Sequence, residues 1–313
     1  MNKQLIVAQD GSGDFTTVQA AIDAVKTVQN EYTIIQIKSG VYKEVIHIRE
    51  NQSFIQLVGE GADKTIISFD NYAGKLNEEG VRLGTNNSAT VFIDGDYIRA
   101  ERITFENSYY RPGLDASGRQ AVAVNTTGRG VTFKQCAFKG YQDTLYARDG
   151  RCYFYECFIE GDIDFIFGGA RAVFEKCQIH SLYGGSKVDN GYVTAASTKA
   201  SQPYGFLFEN CHLTADAAMP NHTVYLGRPW HPSARTEPVC TSTVFKNCQL
   251  GAHIKEEGWT FMGEVQPETE RLYEFNNTGE GAILNAKRRQ LTKEEAENYT
   301  KENILEGFIE RDN

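Results

Sequence analysis

The stretch FKQCAFKGYQDTLYARDGRCYFYECFIEGDIDFIFGGA, residues 133–170, carries one short pattern twice. FKQC (133–136) and FYEC (154–157) share the frame F-x-x-C, which returns as FEKC (174–177), FENC (208–211) and FKNC (245–248). FENS at 105–108 has the same outline with Ser in place of Cys. Two residues past each Cys stands a large apolar side chain: Phe138, Ile159, Ile179, Leu213 and Leu250. The cysteines of successive F-x-x-C frames are 21, 20, 34 and 37 residues apart. A unit of about 20 residues with longer insertions marks a solenoid, in which each coil buries its apolar face on the next. Helical periodicity is scarce between residues 30 and 280, whereas short β-rich runs such as TIIQI, FIQLV, ATVFI, AVAVN and TVYL recur. The fold class that follows is all-β: a right-handed parallel β-helix, one rung per coil, in a single domain over residues 1–313. Phe and Cys are three apart and fall on opposite sides of a regular strand. Each window is therefore read as a strand plus a turn, with Cys and the next apolar residue facing inward as small packing groups.

A solenoid must close its ends. TTVQAAIDAVK (16–26) predicts a short capping helix, with Thr16 and Gln19 at capping-box spacing and Val18, Ala21, Ile22 and Val25 on one face. LTKEEAENYTK (291–301) predicts a second, with Thr292 and Glu295 at the same spacing.

The bulk numbers exclude whole classes of function. A formal net charge of −9 argues against nucleic acid and anionic membranes as partners. No apolar run approaches the roughly 18 residues needed to span a bilayer. The start, MNKQLIVAQDGSG, lacks a signal-peptide core, so the chain either stays in the cytoplasm or was secreted and trimmed. Seven cysteines without a CxxC pair, and six histidines without ligand spacing, give no metal site. No nucleotide-binding loop stands in a strand-to-helix setting. No metal or cofactor is expected.

Within the repeat, Asp143 lies seven residues after Cys136 and Asp164 seven after Cys157. Both occupy one phase, a single coil apart. Stacked parallel strands are about 4.7–4.9 Å apart, which brings the two carboxyls face to face among Tyr141, Leu145, Phe165 and Phe167. Like charges so close do not both ionise, so one carboxyl holds a proton and the other stays charged. That is the make-up of an acid and a base or nucleophile. Gln142 and Gln120, the latter close to one coil earlier, are candidate amide donors to a developing oxyanion. Arg228, in YLGRPWH, is a candidate bidentate partner for one carboxylate. Trp230 offers a flat apolar face of the kind sugars stack on.

DGSGDFTTVQAAIDA, SGVYKEVI, GRQAVAV, GYQDTLY, GDIDFIFGGA, YVTAAS and YLGRPW, in that order along nearly the whole chain, resemble the pectin methylesterases (pectinesterases), carbohydrate esterases with a right-handed parallel β-helix fold. The resemblance implies Asp164 as nucleophile, Asp143 as general acid then base, Gln120 and Gln142 as the anion hole, Arg228 as the partner of Asp164, and Trp230 as a sugar contact. Tyr141 and Tyr146 stand where the family often has Phe or other residues; with Phe165 they are candidate substrate contacts. Trp259 and Met262, in GWTFMGEV, match a second substrate-contacting stretch. Cys157 and Cys177 match positions that form a disulfide in some bacterial members, a pairing that requires secretion. The implied partner is a methylesterified galacturonan, poly- or oligosaccharide, handled by a monomer, whose C6 methyl esters are hydrolysed to carboxylate and methanol. A retaining glycoside hydrolase also needs two carboxyls, about 5–5.5 Å apart. A non-catalytic glycan-binding β-helix would keep the aromatics without the in-phase Asp pair. Both remain alternatives on the residues alone.

Overall fold

Each F-x-x-C window turns a corner. Gln135, Glu156, Lys176, Asn210 and Asn247, the residues just before the five cysteines, all have φ between 52° and 56°. One residue in the left-handed region reverses the side-chain alternation of a strand, so the Phe two positions earlier and the Cys one position later both point inward. The computed structural model describes residues 4–26, 30–110, 118–233 and 236–306. In it the chain winds through three parallel sheets, of ten, seven and eight strands, as a right-handed β-helix.

The ten-stranded sheet runs from Gln4–Val7 to Arg271–Phe275 and includes Arg129–Lys134, Arg151–Tyr155 and Arg171–Glu175. The eight-stranded sheet follows the corner, with Ala137–Lys139, Phe158–Gly161 and Gln178–Ser181 among its strands. The seven-stranded sheet completes the coil with Val124–Thr126, Leu145–Ala147, Ile163–Gly168, Gly191–Ala196 and Val224–Gly227 among its strands. Cys136, Cys157, Cys177, Cys211 and Cys248 form the expected internal ladder, all buried. Cys157 and Cys177 sit there as free thiols. Burial pushes the Cys136 thiol well above its ordinary value, which suits a packing group rather than a nucleophile.

The phenylalanines form a second ladder that alternation along a regular strand did not reveal. Phe133, Phe154, Phe174, Phe208 and Phe245 are fully buried, and neighbouring rings stack at 5.0, 4.5, 4.4 and 4.4 Å. The FENS stretch is not a rung of this ladder. Phe105 pairs with Phe138 in the eight-stranded sheet, and the place of Phe133 one coil earlier is held by Ala100.

The first coil is closed by the helix Val18–Asp23, which buries Val18, Ala21 and Ile22. Its cap differs from the predicted Thr16–Gln19 box. Thr17 takes the N-cap position without a side-chain bond. Instead the amides of Val18 and Gln19 donate to the two carboxylate oxygens of Glu44 at 2.9 and 3.0 Å. One charged group from the next coil satisfies two orphan donors, and it favours the positive end of the helix dipole. Gln19 is freed to bond the backbone of His47.

At the other end the Thr292–Glu295 capping box is present. The predicted helix shortens to Lys293–Ala296, another follows at Lys301–Leu305, and neither plugs the last coil. Ala296, Ile304 and Leu305 instead cover Tyr153, Val173, Leu207 and Val244 on the outer face of the ten-stranded sheet. Polar groups take part in the closure. On the last rung Glu274 stands where the Phe ladder would continue, with 1% of its surface exposed. Arg288 donates to both its oxygens at 2.7 and 2.6 Å. Arg288→Ala leaves that carboxylate buried without its cation and is expected to lower unfolding free energy by about 3–5 kcal/mol in a denaturant titration. The double variant Arg288→Ala/Glu274→Leu should recover most of the loss; a double variant no more stable than the single one would contradict this role.

Candidate active site

Asp143 and Asp164 repeat a corner device on the seven-stranded sheet. Leu145 pairs with Ile166 in register, which places the two aspartates at equivalent points of adjacent rungs. Both have positive φ, 68° and 52°. For a non-glycine residue this is an uncommon conformation, held only where the surroundings enforce it. Here the Asp143 amide donates to the Ile163 carbonyl at 3.0 Å, and register shifts between Ile163 and Ile166 against the next strand. Bulges of this kind re-aim a side chain. The Asp164 carboxyl leaves the core while Phe165 enters it.

The two carboxyls lie on the floor of an open hollow of about 530 Å³, with Gln120, Gln142, Phe167, Arg228, Trp230 and Met262 in its walls. The floor is nearly dry: Asp143 and Asp164 are 7% and 6% exposed. Arg228 leaves the end of the strand Val224–Gly227 two rungs away in the stack. Its Nε and Nη2 donate to the two oxygens of Asp164 at 2.8 and 2.6 Å. Gly227 before it has no room for a side chain, since a Cβ there would lie 2.0 Å from Thr194 Oγ1. The guanidinium is also held from one face by the ring of Tyr192, 3.8 Å from its centroid.

These contacts separate the two acids. Burial pushes Asp143 well above the usual carboxylate range, and the charge of Asp164 pushes it further. Burial raises Asp164 as well, but the hydrogen bonds and charge of Arg228 oppose that rise. Of the pair, Asp143 takes the proton first and Asp164 keeps the charge.

The remaining candidates divide. Gln142, Gln120, Trp230 and Met262 line the same hollow as the aspartates. Tyr146 lies under it, stacked on Phe167 at 4.1 Å and tilted against Trp230 at 6.1 Å; it supports the aromatic wall. Tyr141 opens instead into a neighbouring hollow that shares Gln142 as a wall. Two expectations fail. Phe165 is fully buried in the solenoid core, because the left-handed turn at Asp164 sends the next side chain inward. Trp259 is 4% exposed and packs against Phe245 at the end of the Phe ladder, so it closes the core rather than contacting a ligand.

The structure adds Phe167, Tyr192 and the segment Leu83–Asn87 to the site. Phe167 was legible, since it stands three residues after Asp164, on the far side of the corner. Tyr192 carried a signal only as the first residue of YVTAAS. The Leu83–Asn87 segment belongs to a long insertion between the strands Thr65–Phe69 and Val91–Ile93, which no periodicity ties to the site.

Comparisons with known proteins show which family the chain belongs to. The Pectinesterase family model matches residues 4–308. Pectinesterase 31 of Arabidopsis thaliana is 33% identical, over 97% of this chain and 93% of its own. Among solved structures, a pectin methylesterase in complex with a hexasaccharide superposes with a TM-score of 0.92 at 32% identity, covering 98% of each chain. The pectin methylesterase PemA from Erwinia chrysanthemi gives 0.90 at 32% identity, over 98% of this chain and 97% of that one. A β-helix carrying this motif set over nearly its whole length, with such relatives, belongs to the pectinesterase family, enzymes that hydrolyse the methyl esters of pectin.

Proposed function

We propose that the chain demethylates galacturonan with Asp164 as nucleophile and Asp143 as acid and then base. The observation that carries this assignment is the bidentate Arg228–Asp164 pair beside a buried Asp143, which burial and the Asp164 charge push toward its protonated form. A carboxylate held ionised by two charge-assisted bonds is ready to attack; a carboxyl kept protonated by burial is ready to give its proton away. Asp164 adds to the C6 ester carbonyl, and the amides of Gln142 and Gln120 receive the oxyanion. The C–OCH₃ bond breaks as the Asp143 proton passes to the leaving methoxide, giving methanol and an anhydride between C6 and Asp164. Water then adds to C6, its proton goes to Asp143, and the bond to Asp164 breaks. The galacturonate carboxyl is released, and both aspartates return to their starting states.

The family match favours this reading over a glycoside hydrolase or a binding protein, for which no observation in the site speaks. The hexasaccharide held by the relative of 32% identity supports an extended oligosaccharide run as the ligand here.

Asp164→Asn removes the nucleophile, and methanol release from methylated pectin should fall by at least roughly 10⁴-fold. If it does not, Asp164 is not the attacking group. Asp143→Asn should slow both half-reactions but retain turnover on an ester whose leaving group needs no proton.

Arg228→Ala is expected to lower kcat/KM by at least about 2 kcal/mol, roughly thirtyfold. It should also move the acid limb of the pH profile upward, because Asp164 loses the charge that opposes its rise. A variant with full activity and an unmoved acid limb would leave Arg228 as a packing residue.

Asp143 also sets a stability signature. Unfolded, it ionises near 3.9; folded, it keeps its proton to a higher pH. The native state therefore binds the extra proton, and stability falls as pH rises from about 4 toward the native value. Asp143→Asn removes that loss, so it should raise Tm at pH 7, with a gain that shrinks toward pH 4. A Tm at pH 7 below that of the wild type would contradict the burial of a protonated acid.

A further inference from the structure

Beyond the two aspartates, the outer face of the seven-stranded sheet carries a second row of matched side chains. Tyr192 and Tyr225 are register partners on adjacent rungs. A parallel bridge between Val224 and Ile254 sets Lys255 beside Tyr225 on the rung after. The two rings lie nearly parallel, 5.6 Å between centroids with 10° between their planes. Lys255 Nζ stands 4.7 Å from the Tyr225 centroid and 2.6 Å from Asp189 Oδ1. At the other end of the row the Arg228 guanidinium is 3.8 Å from the Tyr192 centroid. The order of groups is guanidinium, ring, ring, ammonium, carboxylate, and the first of them is the cation that separates the two acids.

The far end of the row is firmly held. The Lys255 side chain is only 15% exposed, although lysine ordinarily keeps its ammonium in water. Burial works against its charge, yet the bond to Asp189 outweighs that and holds the ammonium above its ordinary value. Asp189 is itself placed. Its amide donates to Ser186 Oγ at 3.1 Å, and its neighbour Asn190 is buried and donates to Thr223 Oγ1 at 3.0 Å. An ammonium over a ring and a ring on a ring are directional contacts. Arg228 needs such direction, because paired bonds to a carboxylate require its plane to line up with both oxygens. It has to meet that requirement from a long, rotamer-rich stem just past the end of a strand.

We propose that Tyr225 and Lys255 are positioning residues for the reaction, holding Tyr192 in place and, through it, the guanidinium plane of Arg228 against Asp164. The inference rests on the catalytic reading above and assigns these two residues a part in it that needs no contact with substrate. With the row intact, Arg228 cannot tilt off the Asp164 oxygens without leaving the Tyr192 ring, and Tyr192 cannot follow it without leaving Tyr225. Without the ammonium, Tyr225 loses the contact that fixes it from the next rung. The slack passes along the row as a looser Arg228 and a less stabilised charge on Asp164.

The test is Lys255→Met, which keeps the apolar stem and removes the ammonium. For methanol release from methylated pectin, kcat/KM should fall by roughly 3- to 10-fold. The loss should lie in kcat with KM little changed, and the acid limb of the pH profile should move upward, as in Arg228→Ala but less far. Lys255→Arg should restore both. Tyr225→Ala should act in the same direction and at least as strongly, and Tyr225→Phe, which keeps the ring, should recover most of that loss. The deciding comparison is the double variant Lys255→Met/Arg228→Ala. If Lys255 works through Arg228, the double variant is no slower than Arg228→Ala alone. Wild-type kcat and acid limb in Lys255→Met, a loss that Lys255→Arg does not restore, a loss confined to KM, or additive losses in the double variant would each overturn the proposal. Should Lys255→Met fail to fold, Asp189→Asn decides from an exposed position. It weakens the same row, and an acid limb unmoved there overturns the proposal as well. Failure of the catalytic reading shows separately, as turnover retained in Asp164→Asn.

Discussion

In-register stacking of one coil on the next is the constraint from which the rest of this molecule follows. Parallel rungs repeat their side chains at a fixed separation, so whatever one coil points inward must be matched by its neighbours. The Phe stack and the Cys ladder satisfy that rule inside the helix. The left-handed residue at each corner lets both ladders share one interior. Replacing any one coil with a different phase would break contacts on both sides, which is why the insertions between cysteines are accommodated in turns and not in strands.

The same rule, applied on the outer side, makes the active site. Asp143 and Asp164 are two copies of one position, and stacking alone would give them equal environments. They differ because only Asp164 meets Arg228, which arrives two rungs further along and is braced by Tyr192. Burial raises both acids, and one cation then separates them. Repetition supplies proximity, and a single asymmetric contact supplies the division of labour. The cleft continues past Gln142 into a second hollow that Arg119 helps to wall.

What was legible in the sequence was what the repeat controls. The F-x-x-C spacing led to the coil, the Cys ladder and the phase of the two aspartates, and the motifs around Gln120, Gln142 and Arg228 led to the hollow they line. Readings failed where a single local turn or a distant partner decides. A left-handed φ at Asp164 buries Phe165, and one at each corner turns the phenylalanines inward; neither conformation is visible in the identity of an Asp, Glu or Lys. Glu44 caps the first helix from another coil, a contact that no local spacing announces. Trp259 carries the residue type of a sugar contact but ends a stack of rings. FENS mimicked the repeat from a different sheet, because a four-residue pattern with one substitution does not specify register.

The central claim is that two equivalent carboxyls hold different protonation states. Carbon-13 NMR of the wild-type enzyme with carboxyl-labelled aspartate, titrated with pH and assigned through the Asp143→Asn and Asp164→Asn variants, observes this directly. The account expects the Asp143 resonance to remain that of a protonated acid at pH values where Asp164 is already ionised. An Asp164 carboxyl that titrates above Asp143 would contradict it.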